Sequence, residues 1–262
     1  MKRVLRILAK SDIGKARDMN QDSFYAASEE DEIKLCILAD GMGGYKGGEI
    51  ASSVAVYSAQ NYICNNFKNI DKERNDILKL ITDSIEYANL MVYERSKEEE
   101  ELKDMGTTLD VCLIYNNKVF IGHVGDSRVY RIRKNIIRKL TNDHSYVQKL
   151  VKDGKITKEE ADIHPKKNML VKAIGCNSLV EPDVMCKGFL KDDILLMCSD
   201  GLTNMLGDEE IYKTLLENSE NPVAALINAA NREGGIDNIT TIIIDNIEKE
   251  PEKVVSNEET EK

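Results

Sequence analysis

At 262 residues, 42% of them hydrophobic, the chain can bury a sizeable core, as one domain near the upper size or as two small ones. It carries 36 Lys and Arg against 46 Asp and Glu, a formal charge of −10, and no basic run of five or more residues, which excludes nucleic acid as a partner. No segment approaches the roughly 20 apolar residues of a membrane span, and MKRVLRILAKSDIG is too charged for a signal peptide, so a cytoplasmic protein with no membrane contact is expected.

Residues 3–9 and 33–39 read as strands, the second apolar almost throughout and so expected to be buried on both faces. In GEIASSVAVYSAQNYICNNF, Ile50, Ala51, Val54, Ala55, Tyr62 and Ile63 recur at near-helical spacing. Ile77, Ile81, Ile85, Ala88 and Val92 do the same in the next segment, which predicts two long amphipathic helices in succession. From Thr107 the period shortens: TTLDVCLIY, KVFIGHVG, RVYRIR and IIRKL predict an antiparallel meander turning at Asn116-Asn117 and Lys134-Asn135. Residues 145–170 are charged and weakly helical, broken by Gly154 and Pro165, and are expected to form a surface insertion. DILLMCSDG and ITTIIID then resume strands on either side of helical segments near 208–217 and 222–232. From Glu248 onward, residues 248–262 are charge-rich with little to bury and are expected to be a disordered acidic tail. Runs of strands and runs of helices, without strict alternation, predict an α+β fold of antiparallel sheets with helices outside.

The six cysteines (Cys36, Cys64, Cys112, Cys176, Cys186 and Cys198) lie mostly in apolar runs without a C-x-x-C pair, and read as buried small hydrophobes in a reducing compartment. His123, His144 and His164 show no ligand spacing, so any metal should be a hard cation held by oxygen.

Oxygen ligands are where the sequence is most pointed. KLCILADGMGG, residues 34–44, drives Asp40 out of an apolar run and follows it with Gly41, which suits either a β-turn or a cation site in which a bare glycine carbonyl approaches the same ion. The pattern recurs at Asp126 after VFIGHVG, at Asp200 after DILLMCS, and at Asp237 just before NITTIIID. Four carboxylates converging at one sheet edge cannot all stay ionised in a partly desolvated site without a counter-charge, and divalent cations supply one. Two such cations sharing Asp40 as a bridge would hold a water acidic enough for hydrolysis. In DIGKARDMNQDSF, Arg17 is either a solvated loop residue or a bidentate phosphate clamp, and Asp22 adds a further acid.

In order along the chain, RDMNQD (17–22), DGMGG (40–44), GTT (106–108), GDSR (125–128), LTNDHS (140–145), SDGL (199–202) and GGIDNIT (234–240) resemble the motifs of the metal-dependent type 2C serine/threonine protein phosphatases, in their bacterial branch. The likeness spans roughly residues 5–245. It implies a four-layer α-β-β-α sandwich of two antiparallel sheets flanked by helices, a single catalytic domain over 1–247 with a flap at about 145–170. It further implies that Asp40 bridges two Mn²⁺ or Mg²⁺ ions, that the Gly41 carbonyl ligates one of them, and that Asp200 and Asp237 complete the other. By the same resemblance Asp126 holds a third, weaker ion, Arg17 binds the substrate phosphate and Asp22 orients metal-bound water. Two positions depart from the pattern. Met42 stands where many eukaryotic members have a histidine that acts as general acid, and Gln21 stands where some members have glutamate. His144 is available as an alternative acid or as a structural residue at the base of the flap.

The activity so implied is hydrolysis of phosphoserine and phosphothreonine on phosphorylated proteins by a metal-activated water, by a monomer opposing a serine/threonine kinase. A cysteine phosphatase is excluded because no cysteine has an arginine six residues on, as a C-x₅-R loop needs. The alternative of another class is a catalytically silent phosphoprotein-binding regulator of the same fold, which would be expected to have lost one or more of the acids.

Overall fold

Strand β3 (Lys34–Met42) is apolar because both of its faces are covered. Leu35, Ile37 and Ala39 pack against α1 (Gly44–Asn66) and α2 (Arg74–Arg95), while Cys36 and Leu38, pointing the other way, meet a second sheet. The computed structural model, which describes residues 2–249, extends this arrangement into four layers. One sheet runs β2 (Asp22–Ala26), β3, β5 (Leu109–Tyr115), β6 (Lys118–Val124) and β9 (Asp183–Gly188), with β4 (Gly106–Thr107) on the end of β3. The other runs β1 (Lys2–Asp12), β11 (Ile239–Lys249), β10 (Ile194–Cys198), β7 (Arg128–Arg133) and β8 (Ile136–Lys139). All pairings are antiparallel, and β1 meets β11 from Lys2 opposite Lys249 to Asp12 opposite Ile239.

Between the sheets, Cys36, Leu38, Cys112 and Ile121 interleave with Val129, Leu195, Met197, Ile242 and Ile244. The outer face of the second sheet, with Tyr130, Leu196 and Ile243, is covered by α6 (Asp208–Glu217) and α7 (Pro222–Arg232). The meander turns where expected: Asn116 and Asn117 have φ of 48° and 56°, and Lys134 and Asn135 have 49° and 63°, the left-handed pair of a two-residue hairpin turn.

The segment after the meander holds α3 (Tyr146–Lys152) and α4 (Lys158–Asp162), capped by the side chains of Ser145 and Thr157. Its ends return to one point. The Tyr146 N–H donates to the Met169 carbonyl at 2.7 Å and the Val171 N–H to that of His144 at 2.8 Å.

Several expectations are corrected. The Asp40-Gly41 pair is no hairpin turn, because β3 runs on and pairs Gly41 with Thr107 and Met42 with Gly106. Strands β2 and β9 were not expected. Each is a sheet edge with only partly covered residues, so neither carries a strong apolar alternation. Glu248 and Lys249, expected in the tail, belong to β11, and residues 250–262 lie outside the described residues. Cys36, Cys112 and Cys198 are buried as expected, but Cys64 and Cys186 are half-buried and Cys176 is exposed.

Candidate metal centre

The centre begins with the backbone of Asp40, which two buried threonines grip from both sides. The Thr107 hydroxyl and the Thr108 N–H donate to the Asp40 carbonyl at 2.8 and 2.9 Å, and the Asp40 N–H donates to Thr108 Oγ1 at 2.9 Å. Thr108 Oγ1 in turn shares a hydrogen bond of 2.9 Å with Ser127 Oγ, which ties the Asp40 strand to the loop carrying Asp126. Gly125, at φ 117°, is held there because a Cβ would lie 2.5 Å from the Thr108 methyl.

Asp22 sits directly across β2 and β3 from Asp40. Its Oδ2 accepts the hydroxyls of Ser199 and Thr240 at 2.8 and 2.6 Å, while its Oδ1 is buried without a hydrogen-bond partner. Asp200 opens α5 (Asp200–Thr203) at the end of β10 and takes the Asn204 amide at 3.0 Å. Asp237 precedes β11, with Oδ1 on the Asn238 N–H at 2.8 Å and Oδ2 on the Arg17 guanidinium at 2.8 Å. Arg17 is 53% exposed, so it stands at the rim of the cluster with its fork turned inward.

Asn238 organises that rim, a role sequence reasoning missed although the residue lies inside GGIDNIT. Its Oδ1 accepts the Gln21 N–H at 2.8 Å, and its amide donates to the carbonyls of Ile13 and Met19, both at 2.9 Å. The loop bearing Arg17 and Asp22 is thereby stapled beside Asp237.

The electrostatics follow from this crowding. Burial, reinforced by Asp22, Asp200, Asp126 and Asp237, holds the Asp40 carboxyl well above the usual carboxylate range. Burial lifts Asp22 to about 6 against the opposing pull of its two hydroxyl donors, and lifts Asp126, next to Asp200, to about 7. Asp200 is raised by burial and by Asp237, and is hydrogen-bonded to Asp40. Among the described residues no three acids, imidazoles or thiolates are already closed to coordination distance around one point. The acids instead share a field of mutual repulsion, with one buried oxygen unsatisfied. An all-oxygen donor set of that kind fits a hard divalent cation, whose charge removes the repulsion.

His144 is tied to the Asp126 loop through one ring nitrogen, while its Nε2 is buried without a hydrogen-bond partner, 3.3 Å from Asp183. Its Nδ1 accepts the Gly125 N–H at 3.1 Å and its own N–H donates to the Gly125 carbonyl at 2.7 Å. Burial holds the ring down to about 4, so it stays a neutral acceptor. It stacks at 4.7 Å on His123, a fully buried ring whose Nδ1 faces Asp110 at 2.6 Å and whose Nε2 faces the Asn142 carbonyl at 3.0 Å. Burial alone would lower this ring, but Asp110 and the Asn142 carbonyl outweigh it and raise the ring above its ordinary value. Nothing in the sequence marked this pair, because Asp110 and His123 come together only through the register of β5 on β6.

A cleft of about 370 Å³ opens from the acids, floored by Asp126 and Asp200, with Thr203, Asn204 and Asp208 on one wall and Ser145, Gln148, Lys167 and Asn168 on the other. Residues 14–233 match the family model for protein phosphatase 2C. The chain belongs to that family. Relatives include the serine/threonine phosphatase stp of Listeria monocytogenes, 37% identical over 239 residues that cover 90% of this chain and 94% of the relative. The structure of the S. agalactiae serine/threonine phosphatase superposes with a TM-score of 0.84 at 37% identity, covering 92% of this chain and 99% of the other. The catalytic domain of the phosphatase PstP, solved with 2 manganese ions, superposes at 0.81 with 33% identity, covering 94% of this chain and all of the other. Like those 2C phosphatases, this chain folds as two antiparallel sheets flanked by helices.

Proposed function

We propose that the acid cluster holds two Mn²⁺ or Mg²⁺ ions and that the site hydrolyses phosphoserine and phosphothreonine esters of proteins. The chain is a metal-dependent serine/threonine phosphatase of the 2C type. In this reading Asp40 bridges the two ions, the Gly41 carbonyl ligates one, Asp200 and Asp237 complete the other, and Asp126 holds a third, weaker one. When bound, the ions supply a water acidic enough to act as nucleophile and offset charge on the phosphoryl oxygens.

The chain's own residues do the rest. Arg17 holds one guanidinium N–H on Asp237 at the rim, and its planar fork can take two phosphate oxygens bidentately. Asp22, fixed by Ser199 and Thr240, turns its free Oδ1 as an acceptor for a water proton. Met42 has no proton to give, so it does not protonate the leaving oxygen.

The observation that carries the reading is the meeting of Asp22, Asp40, Asp126, Asp200 and Asp237, from both sheets, in one field centred on Asp40. The same reading takes residues 1–247 as one catalytic domain with a flap at about 145–170, acting in the cytoplasm as a monomer and opposing a serine/threonine kinase. The flap reading is supported by the return of both of its ends beside Gly125; among the described residues no helix is long and apolar enough to cross a membrane. The test is hydrolysis of a phosphothreonine peptide with and without Mn²⁺, alongside Asp200→Asn. Activity that requires the metal and is lost in the variant supports the reading, and a wild type that is inactive with metal bound rejects it.

A further inference from the structure

The flap departs in charge from the rest of the chain. Residues 145–172 carry seven lysines against four acids, a positive surplus on a protein of net charge −10. A groove of about 670 Å³ runs along this segment, lined by Lys149, Lys152 and Lys172 among others. It shares Asp143, Ser145 and Gln148 with the cleft that opens from Asp126 and Asp200, so the two spaces adjoin across the first turn of α3.

The groove's acids are all compensated. Asp143 is held by Arg128 at 2.8 Å and Lys139 at 3.0 Å, Asp153 by Lys155 at 3.2 Å, and Asp183 by Lys172 at 3.5 Å. Lys149 and Lys152 are exposed, and among the described residues no carboxylate lies within ion-pair distance of either. They occupy the last turn of α3, where the carbonyl end of the helix favours cations. The groove therefore presents two uncompensated ammonium groups beside the cleft in which the phosphorylated residue would sit.

We propose that this groove binds acidic side chains flanking the phosphorylated residue of the substrate protein, with Lys149 and Lys152 as the specificity-determining residues. The proposal rests on the phosphatase reading of the neighbouring cleft and adds to it a substrate class, phosphorylation sites set in Asp- and Glu-rich sequence. Exposed charges act through steering and orientation and are screened by salt, so the preference should fade as ionic strength rises.

The test compares phosphothreonine peptides that differ only in flanks of Glu, Gln or Lys, using the full chain with Mn²⁺, the double variant Lys149→Glu/Lys152→Glu, and a charge-matched control, Lys158→Glu/Lys187→Glu, at exposed lysines outside the groove. The wild type should favour the Glu-flanked peptide in kcat/KM by about tenfold over the Gln-flanked one at low salt. The groove variant should abolish or invert that ratio while hydrolysing p-nitrophenyl phosphate at the wild-type rate, and the control should keep it. Equal effects on all three peptides, or the same change in the control, would overturn the proposal. Fluorescence anisotropy of the same peptides reads the groove without turnover. Failure to hydrolyse p-nitrophenyl phosphate would reject the phosphatase reading, whereas affinity that ignores flank charge would reject the groove.

Discussion

Gly41 is a glycine because two backbone carbonyls leave no room for a side chain. A Cβ there would lie 2.1 Å from the Gly48 oxygen and 2.5 Å from that of Gln21, which brings the start of α1 and the Asp22 loop against the end of β3. Gly41→Ala is expected to destabilise the fold by about 3 kcal/mol through backbone overlap, on the order of 10 °C in Tm, as thermal unfolding would record. Its neighbour behaves in the opposite way. Asp40 carries a charge that burial and four other acids oppose, so Asp40→Asn should leave the metal-free protein at least as stable as wild type. Turnover of a phosphothreonine peptide in Mn²⁺ should nevertheless fall more than about 1,000-fold, equivalent to about 4 kcal/mol. A folded variant that keeps its activity would remove Asp40 from the bridging position.

At the level of elements, the site is assembled by what lies beside strands as much as by what ends them. Asn238 closes three backbone groups of the 13–21 loop in a single side chain. Asn238→Ala should cost about 2–3 kcal/mol in unfolding free energy, because the freed donor and acceptors are partly buried, and should raise KM for a phosphopeptide more than it lowers kcat, because Arg17 rides on that loop. Denaturant unfolding and steady-state kinetics would check the two halves. The comparison with sequence expectation turns on the same distinction. β3, the two long helices, the meander turns and the helices at 208–217 and 222–232 were legible because their apolar spacing or turn residues report burial directly. The acids Asp40, Asp126, Asp200 and Asp237 were legible because each interrupts an apolar run. β2 and β9 were not, since an edge strand buries too little to show a period. The extension of β3 through Met42 was hidden because its partner, β4, is only Gly106 and Thr107. The Asp110–His123 pair depends on strand register, which residue spacing does not encode.

For the whole molecule, the consequence of gathering so many acids is a fold whose stability runs against pH until a cation arrives. Folding lifts Asp22 to about 6 and Asp126 to about 7, above the roughly 3.9 of an unfolded aspartate. Below about pH 4 both states hold these protons and the groups contribute no difference. As pH rises from about 4 to about 7 the unfolded chain releases its protons first, so the folded state binds more of them and stability falls across that window. Above about 7 the loss is complete and constant. In the proposed metal centre a divalent cation would replace those protons as the counter-charge, with an affinity that grows as they leave. The metal-free protein should therefore show a falling Tm from pH 5 to pH 7.5. Mn²⁺ at about 100 times its Kd should restore about 2.7 kcal/mol at the higher pH, on the order of 5–10 °C for a chain of this size. The same addition at pH 5 should restore much less, and Asp40→Asn should flatten the difference between the two pH values. Equal stabilisation by Mn²⁺ at both would mean that these acids are not its ligands.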